Sequence, residues 1–246
     1  WANFENPNFK LVSVNTARFD TTKHLATSVI SDAKIGLQQI SDALGDWRAP
    51  NNWYQRAIKE RDEWDAYVEK QSGPTNQEEP SYAHAVGAVY RNSDPSDIVV
   101  TAAGGLVGEV VQVWKPKQLN TFETEWGFSC MGYEISGALG IKMAKPDQDV
   151  VVFVGDGSYL LNNTDIYSSV IYDQKLIIIV CDNGGHMVIN RLQLAKGGKE
   201  YICNLRAARA TNLKFVDFEN HAKSMGANAE TVSSTSELEA AYKRAK

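Results

Sequence analysis

Apolar positions along the chain fall into two patterns. Runs apolar on consecutive residues occur at Asp97-Ile-Val-Val-Thr101, Asp149–Gly155 and Lys175–Asp182, and a shorter one spans Phe9-Lys-Leu-Val-Ser-Val14. Short runs of this kind predict strands, and strands without alternation predict burial on both faces of a parallel sheet. Helical spacing fills the intervals. It predicts a helix that Ser31 could cap, running to Leu44 with Gly45 as its stop. A second helix is predicted over Trp53–Lys70, with Trp53, Ala57, Trp64 and Val68 able to share one side. Further helices are predicted around Tyr82–Arg91, over the small-residue stretch Met131–Ala144, near Asn163–Tyr172 and in the closing Leu238–Lys246. Gly104-Gly105 reads as a turn, and Ser72-Gly-Pro-Thr-Asn-Gln-Glu-Glu-Pro80 breaks regular structure. The expected fold class is α/β: a parallel sheet with helices on both faces.

Three segments follow from this pattern. Residues 1–45 make one β-α piece too small to fold alone, and are read as the tail of a domain lying mostly upstream. Residues 46–80 read as a connecting helix and a linker, and residues 81–246 as an α/β domain. The chain opens at Trp1 and stops at Lys246 inside a helical pattern. The expectation is a fragment of a longer polypeptide, with the last domain truncated at its C-terminus. Neither repeats nor low-complexity tracts are visible.

Composition narrows the function classes. With 25 Lys+Arg against 30 Asp+Glu, a net charge of −5, the chain has no basic field for gripping nucleic acid. Its apolar runs are far too short to span a bilayer, and no signal peptide is evident. Cys130, Cys181 and Cys203 are odd in number, which favours a reduced, cytoplasmic protein over a disulfide scaffold. His24, His84, His186 and His221 are scattered without metal-ligand spacing.

The chemistry concentrates in Val151-Val-Phe-Val-Gly-Asp-Gly-Ser158, a helix, and Leu176-Ile-Ile-Ile-Val-Cys-Asp-Asn-Gly-Gly185. A parallel βαβ unit usually returns to a nearby strand, which would place Asp156 and Asn183 at the carboxyl ends of two close strands. Ligands of open α/β sheets bind along that edge. One carboxylate, one amide oxygen and a main-chain carbonyl from the glycine pair form a hard oxygen set, which two phosphate oxygens and a water would complete to the Mg²⁺ octahedron. Gly157 removes a side chain where a diphosphate needs close backbone approach. Gly-Asp-Gly alone is a common turn; its coupling to Asn183-Gly-Gly after a second buried strand is what points to a metal–diphosphate site. The segment lacks the third glycine of a dinucleotide fingerprint, and neither a Walker A nor a Gly-x-Ser-x-Gly stretch occurs.

Gly155-Asp156-Gly157, the 25 residues 158–182 and then Asn183 resemble the diphosphate-binding signature of thiamine diphosphate enzymes. The resemblance implies that Asp156, Asn183 and the Gly185 carbonyl hold Mg²⁺. The signature usually ends Asn-Asn, whereas here it reads Asp182-Asn183; only the second position ligates. Gly127-Phe-Ser-Cys-Met-Gly-Tyr-Glu-Ile-Ser-Gly-Ala-Leu-Gly140, followed by Lys145-Pro-Asp, is similar to the acetohydroxyacid synthase branch. There Met131 matches the apolar residue that bends the cofactor, the alternative being a core methionine. Gly104-Gly105-Leu106 matches a turn that contacts the diphosphate, the alternative being a simple turn. The resemblance also implies the thiamine diphosphate-binding fold for the last domain, with residues 1–45 the end of a central α/β domain. Ser129-Cys-Met-Gly-Tyr-Glu-Ile135 and Asp182-Asn-Gly-Gly-His-Met-Val-Ile-Asn-Arg-Leu-Gln193 resemble the trihydroxycyclohexanedione hydrolases of myo-inositol catabolism.

The implied cofactor residues are therefore Gly104, Gly105, Ser129, Met131, Asp156, Gly157, Ser158, Asn183, Gly185 and His186. His186 reads either as a site residue or as a solvated loop histidine, and Lys196-Gly-Gly-Lys-Glu200 as a surface loop or a site cover. The implied reaction is hydrolytic cleavage between the carbonyl carbons of a cyclic 1,2-diketone, opening trihydroxycyclohexanedione to 5-deoxyglucuronate. In such enzymes an activating glutamate sits on a separate pyrimidine-binding domain, so the resemblance implies a homodimer or homotetramer and a fragment inactive alone. Two alternatives stay open: carboligation or decarboxylation of a 2-keto acid with the same cofactor, and a non-catalytic α/β assembly domain.

Overall fold

The computed structural model describes residues 4, 6–207, 209 and 215–246, with only the backbone of Arg206. The chain divides into two compact units, Trp1–Arg61 and Asp62–Lys246, the boundary falling inside one helix. The first unit holds β1 (Val12–Asn15), the short α1 (Arg18–Thr21), β2 (Thr27–Ile30), α2 (Ala33–Leu44) and the first part of α3 (Asn51–Ser72). β1 and β2 pair in parallel with Val12 opposite Thr27. The strand expected over Phe9–Val14 thus starts later, and β2 has no counterpart among the expected elements. The cap of α2 is Asp32 rather than Ser31: its carboxylate accepts from the Lys34 and Ile35 N–H groups, satisfying two orphan donors at once. Gly45 ends the helix at φ +54°, a conformation that disfavours side chains.

The second unit continues from the last turns of α3 through α4 (Tyr82–Arg91), β3 (Ile98–Thr101), α5 (Gly104–Val113), β4 (Phe122–Thr124), α6 (Tyr133–Ala144) and β5 (Val150–Gly155). Then follow α7 (Asp156–Leu161), α8 (Asp165–Ile171), β6 (Ile177–Cys181), α9 (Met187–Ala195), α10 (Phe218–Ser224) and α11 (Thr235–Ala245). Among the described residues these strands form one parallel sheet in the order β4-β3-β5-β6.

Successive side chains of a strand point to opposite faces, and both faces here are apolar. Val99, Val151, Phe153 and Ile177 join Val86, Val89, Leu106, Val110 and Tyr242 on one side. Ile98, Val100, Val150, Val152 and Val154 join Ile135, Ala138, Tyr159 and Ile166 on the other. The unalternating runs therefore do mark strands sandwiched between helical layers. A groove of about 750 Å³ follows β6, lined by Ile177, Ile179, Phe218, Val232 and Leu238 among others. Among the described residues no helix is long and apolar enough to cross a membrane.

Strand order creates the crevice. From β3 the chain passes through α5 to β4 on one side, while β5 lies on the other side of β3. α5 packs in the layer of Leu106 and Val110, and α7 in that of Tyr159. The turns after β3 and β5 thus part toward opposite faces, the arrangement at which open α/β sheets take ligands. Gly104-Gly105 is the start of α5 itself rather than a free-standing turn.

Gly87 fixes how closely α4 approaches the end of α3. A Cβ there would lie 2.0 Å from the Ser72 carbonyl oxygen. Gly87→Ala should therefore destabilise the fold by about 1–3 kcal/mol, read as a lower denaturant midpoint; an unchanged midpoint would contradict this packing.

Candidate functional site

β5 and β6 are adjacent, with Gly155 opposite Cys181, so their carboxyl tips deliver Asp156 and the loop from Asp182 to His186 side by side. Asp156 opens α7 and is only 5% exposed. Its Oδ2 accepts the Gly185 N–H at 2.8 Å, a bond spanning the two tips. Burial pushes its carboxyl above the ordinary carboxylate value; the Gly185 and Gly157 N–H groups counter this, and nearby Asp182 adds to the rise. Among the described residues no lysine, arginine or histidine forms an ion pair with it. A buried carboxylate with two backbone donors and no counter-charge is a position a cation would relieve. The neighbouring Cys181 thiol is pushed up to about 12 by burial and by Asp156, and stays protonated.

The loop after β6 is shaped by glycine. Gly184 and Gly185 sit at φ +77° and +138°, and a Cβ on Gly185 would lie 2.3 Å from the Cys203 carbonyl oxygen. Residues 203–205 brace it: His186 N–H donates to the Cys203 carbonyl (2.8 Å), Leu205 N–H to the Gly184 carbonyl (2.9 Å), and Gly185 bridges to Asn204. The Gly185 carbonyl accepts from Met187 N–H at 3.0 Å, which leaves its second lone pair. Asn183 donates through Nδ2 to the Tyr82 hydroxyl of α4.

Met131, Gly157 and His186 meet. The position of a Cβ on Gly157 lies 2.7 Å from His186 Cε1 and 3.3 Å from the Met131 methyl, so only glycine leaves room for both. Met131 is 38% exposed and therefore not a core methionine. Ser129 lies two residues before it, at φ +52° on a loop that Glu125 organises: Glu125 accepts from Phe128 N–H (2.9 Å) and Cys130 N–H (2.6 Å), which holds its carboxyl below the ordinary value. Ser158 is buried in the first turn of α7. Gly104, at φ +79°, faces open space, whereas Gly105 lies under α9, its Cβ position 2.9 Å from the Arg191 guanidinium. The structure thus joins Asp156 to Gly185 and brings Met131 and His186 each against Gly157, while Gly104 and Ser129 stand apart from those contacts.

Three groups escaped the sequence patterns. Glu134, 1% exposed, accepts from Ala103 N–H (3.3 Å) through one oxygen and Gly132 N–H (2.9 Å) through the other, tying the start of α5 to the start of α6. A lone acid in a small-residue helix was its only signal. Arg191 and Tyr82 gave none. Burial pushes the Tyr82 hydroxyl above its ordinary value, with Cys181 and Asp156 adding to the rise. The Lys196–Glu200 loop is tethered, since Glu200 accepts from both Asn190 (3.0 Å) and Asn204 (2.7 Å).

The chain is similar to known proteins. Residues 102–246 match the family model "Thiamine pyrophosphate enzyme, C-terminal TPP binding domain". The chain is 32% identical over 269 residues to a 3D-(3,5/4)-trihydroxycyclohexane-1,2-dione hydrolase of Bacillus licheniformis, covering 99% of the chain and 42% of that protein. A protein of the same name from Lacticaseibacillus casei is 31% identical over 263 residues, covering 96% and 40%. The chain thus spans about two fifths of the length of these relatives. In fold it is similar to a thiamine diphosphate-dependent 4-hydroxybenzoylformate decarboxylase of Rhodococcus jostii RHA1, with a TM-score of 0.76 and 15% identity, covering 100% of this chain and 43% of that one.

A raised folded-state pKa at Asp156 favours folding least when the group is ionised. In metal-free protein its penalty is absent below the ordinary 3.8, grows as pH climbs through the raised value and is complete above it. Asp156→Asn should therefore gain stability over the unmutated protein as pH rises from 4 to 8, measured by thermal unfolding in chelator; a difference independent of pH would contradict the buried-charge description.

Proposed function

Because the chain belongs to the thiamine pyrophosphate enzymes, we propose that it holds the diphosphate end of thiamine diphosphate together with Mg²⁺, within a protein that hydrolyses a cyclic 1,2-diketone. The observation that carries the reading is the buried, uncompensated Asp156 carboxylate bonded across adjacent strand tips to the Gly185 N–H. The donor chemistry fits the group: the Asp156 carboxylate, Asn183 Oδ1 and the Gly185 carbonyl are hard oxygens suited to Mg²⁺. When bound, thiamine diphosphate supplies an electron sink for carbon–carbon cleavage.

The protein's share of the work is positioning. The open Gly104 and the start of α5 would hold phosphate oxygens, since a helix N-terminus presents unsatisfied N–H groups. Glu134 fixes that start relative to the Gly132 turn, and hence relative to Met131. Met131 and His186, each packed against Gly157, would wall the site beside the bound cofactor. Ser158 follows Gly157 in the first turn of α7, and Ser129 lies two residues before Met131.

The substrate class rests on the names of the relatives, which are trihydroxycyclohexanedione hydrolases. The reaction adds one water across the bond between two carbonyl carbons, so that one carbon leaves as a carboxylate and the other as an aldehyde. The proposal extends to a cytoplasmic homodimer or homotetramer whose pyrimidine-binding domain belongs to the full-length polypeptide.

Calorimetry on the full natural polypeptide should show thiamine diphosphate binding that requires Mg²⁺. Asp156→Ala should weaken it beyond the roughly 10–100-fold that losing an outer partner costs. Mg²⁺-independent binding, or binding unaffected by the substitution, would sink the cofactor reading. Ring opening of the cyclic diketone is expected; turnover confined to 2-keto acids would replace hydrolysis by carboligation or decarboxylation.

A further inference from the structure

Tyr82 is placed rigidly. It is the first residue of α4, whose start is locked by a reciprocal cap: Ser81 Oγ accepts from His84 N–H (3.3 Å), and Ser81 N–H donates to His84 Nδ1 (3.2 Å). The residues after it, Ala83 and Val86, are buried, and the Tyr82 ring packs against the same cluster as Ile179 and Cys181 of β6. From this footing the hydroxyl reaches a residue 101 positions later in the chain and accepts a hydrogen bond from Asn183 Nδ2.

The two ends of a carboxamide are nearly isosteric, and rotation about the terminal side-chain bond is soft. Only the oxygen end can bind a cation; the NH₂ end has no lone pair to offer and carries positive hydrogens. The Tyr82 hydroxyl can donate or accept, and here it takes the Nδ2 end, which leaves Oδ1 as the end of the amide not held by α4. We propose that Tyr82 is a positioning residue for Asn183, holding the amide so that Oδ1 is presented to the metal ion; this rests on the Mg²⁺–diphosphate reading above. A rigid aromatic stem on a capped helix suits the task, because the hydroxyl is delivered without loss of side-chain freedom. Phenylalanine would keep the stem and remove only the hydroxyl that holds the amide.

The test is Tyr82→Phe in the full natural polypeptide, with thiamine diphosphate binding followed by calorimetry through a Mg²⁺ titration. The half-saturating Mg²⁺ concentration should rise about tenfold, the low end of the range for outer-shell partners of metal ligands. The thermal midpoint without metal should stay within about 3 °C, as expected when little folding free energy is lost. A half-saturating concentration within twofold of the unmutated protein would overturn the inference. So would a rise accompanied by a larger fall in the metal-free midpoint, which would make Tyr82 merely structural. If the unmutated polypeptide shows no Mg²⁺-dependent binding at all, the functional reading fails first and this inference with it.

Discussion

The hydrogen bond from the Gly185 N–H to the Asp156 carboxylate is the constraint on which the site depends. It exists because β5 and β6 are neighbours in register, with Gly155 opposite Cys181. A slip of one residue would carry Asp156 away from the glycine loop and turn every core side chain of β6 to the wrong face. The loop donates this bond from a conformation that favours glycine at both 184 and 185, since both have positive φ and a Cβ on Gly185 would strike the Cys203 carbonyl. Sheet register, backbone conformation and a buried charge therefore specify one another.

The second requirement is a crevice, and the order of strands supplies it. The helices after β3 and β5 depart on opposite faces, so no helix closes over the gap between their first turns. The first of these turns is tied to a third, the one that opens α6: from within the core, Glu134 places one oxygen on the Ala103 N–H and one on the Gly132 N–H. A buried carboxylate is costly unless fully hydrogen-bonded, and here the expense fixes the spacing between two glycine-containing turns.

Much of this was legible in the sequence. Unalternating runs marked β3, β5 and β6, because burial on both faces leaves no polar phase. Gly155-Asp156-Gly157 and Asn183-Gly-Gly located the edge, because their spacing matches one crossover. β4 escaped because Phe122-Glu-Thr124 is three residues long with an acid at its centre. α5 and α7 begin directly at Gly104 and Asp156, where glycine and aspartate read as turn rather than helix. Tyr82 was invisible for a different reason: its partner is distant in the chain, and nothing periodic links the two. Local pattern finds elements and signatures; side chains that meet only through the tertiary fold leave no trace in it.

The glycine loop hangs from β6, a strand with a hydrogen-bonded neighbour on one side only among the described residues. β5, by contrast, is gripped on both sides, so the two halves of the edge differ in how tightly the backbone holds them. Residues 203–205 brace the loop from its other flank, so its backbone is restrained by one strand partner and that one brace.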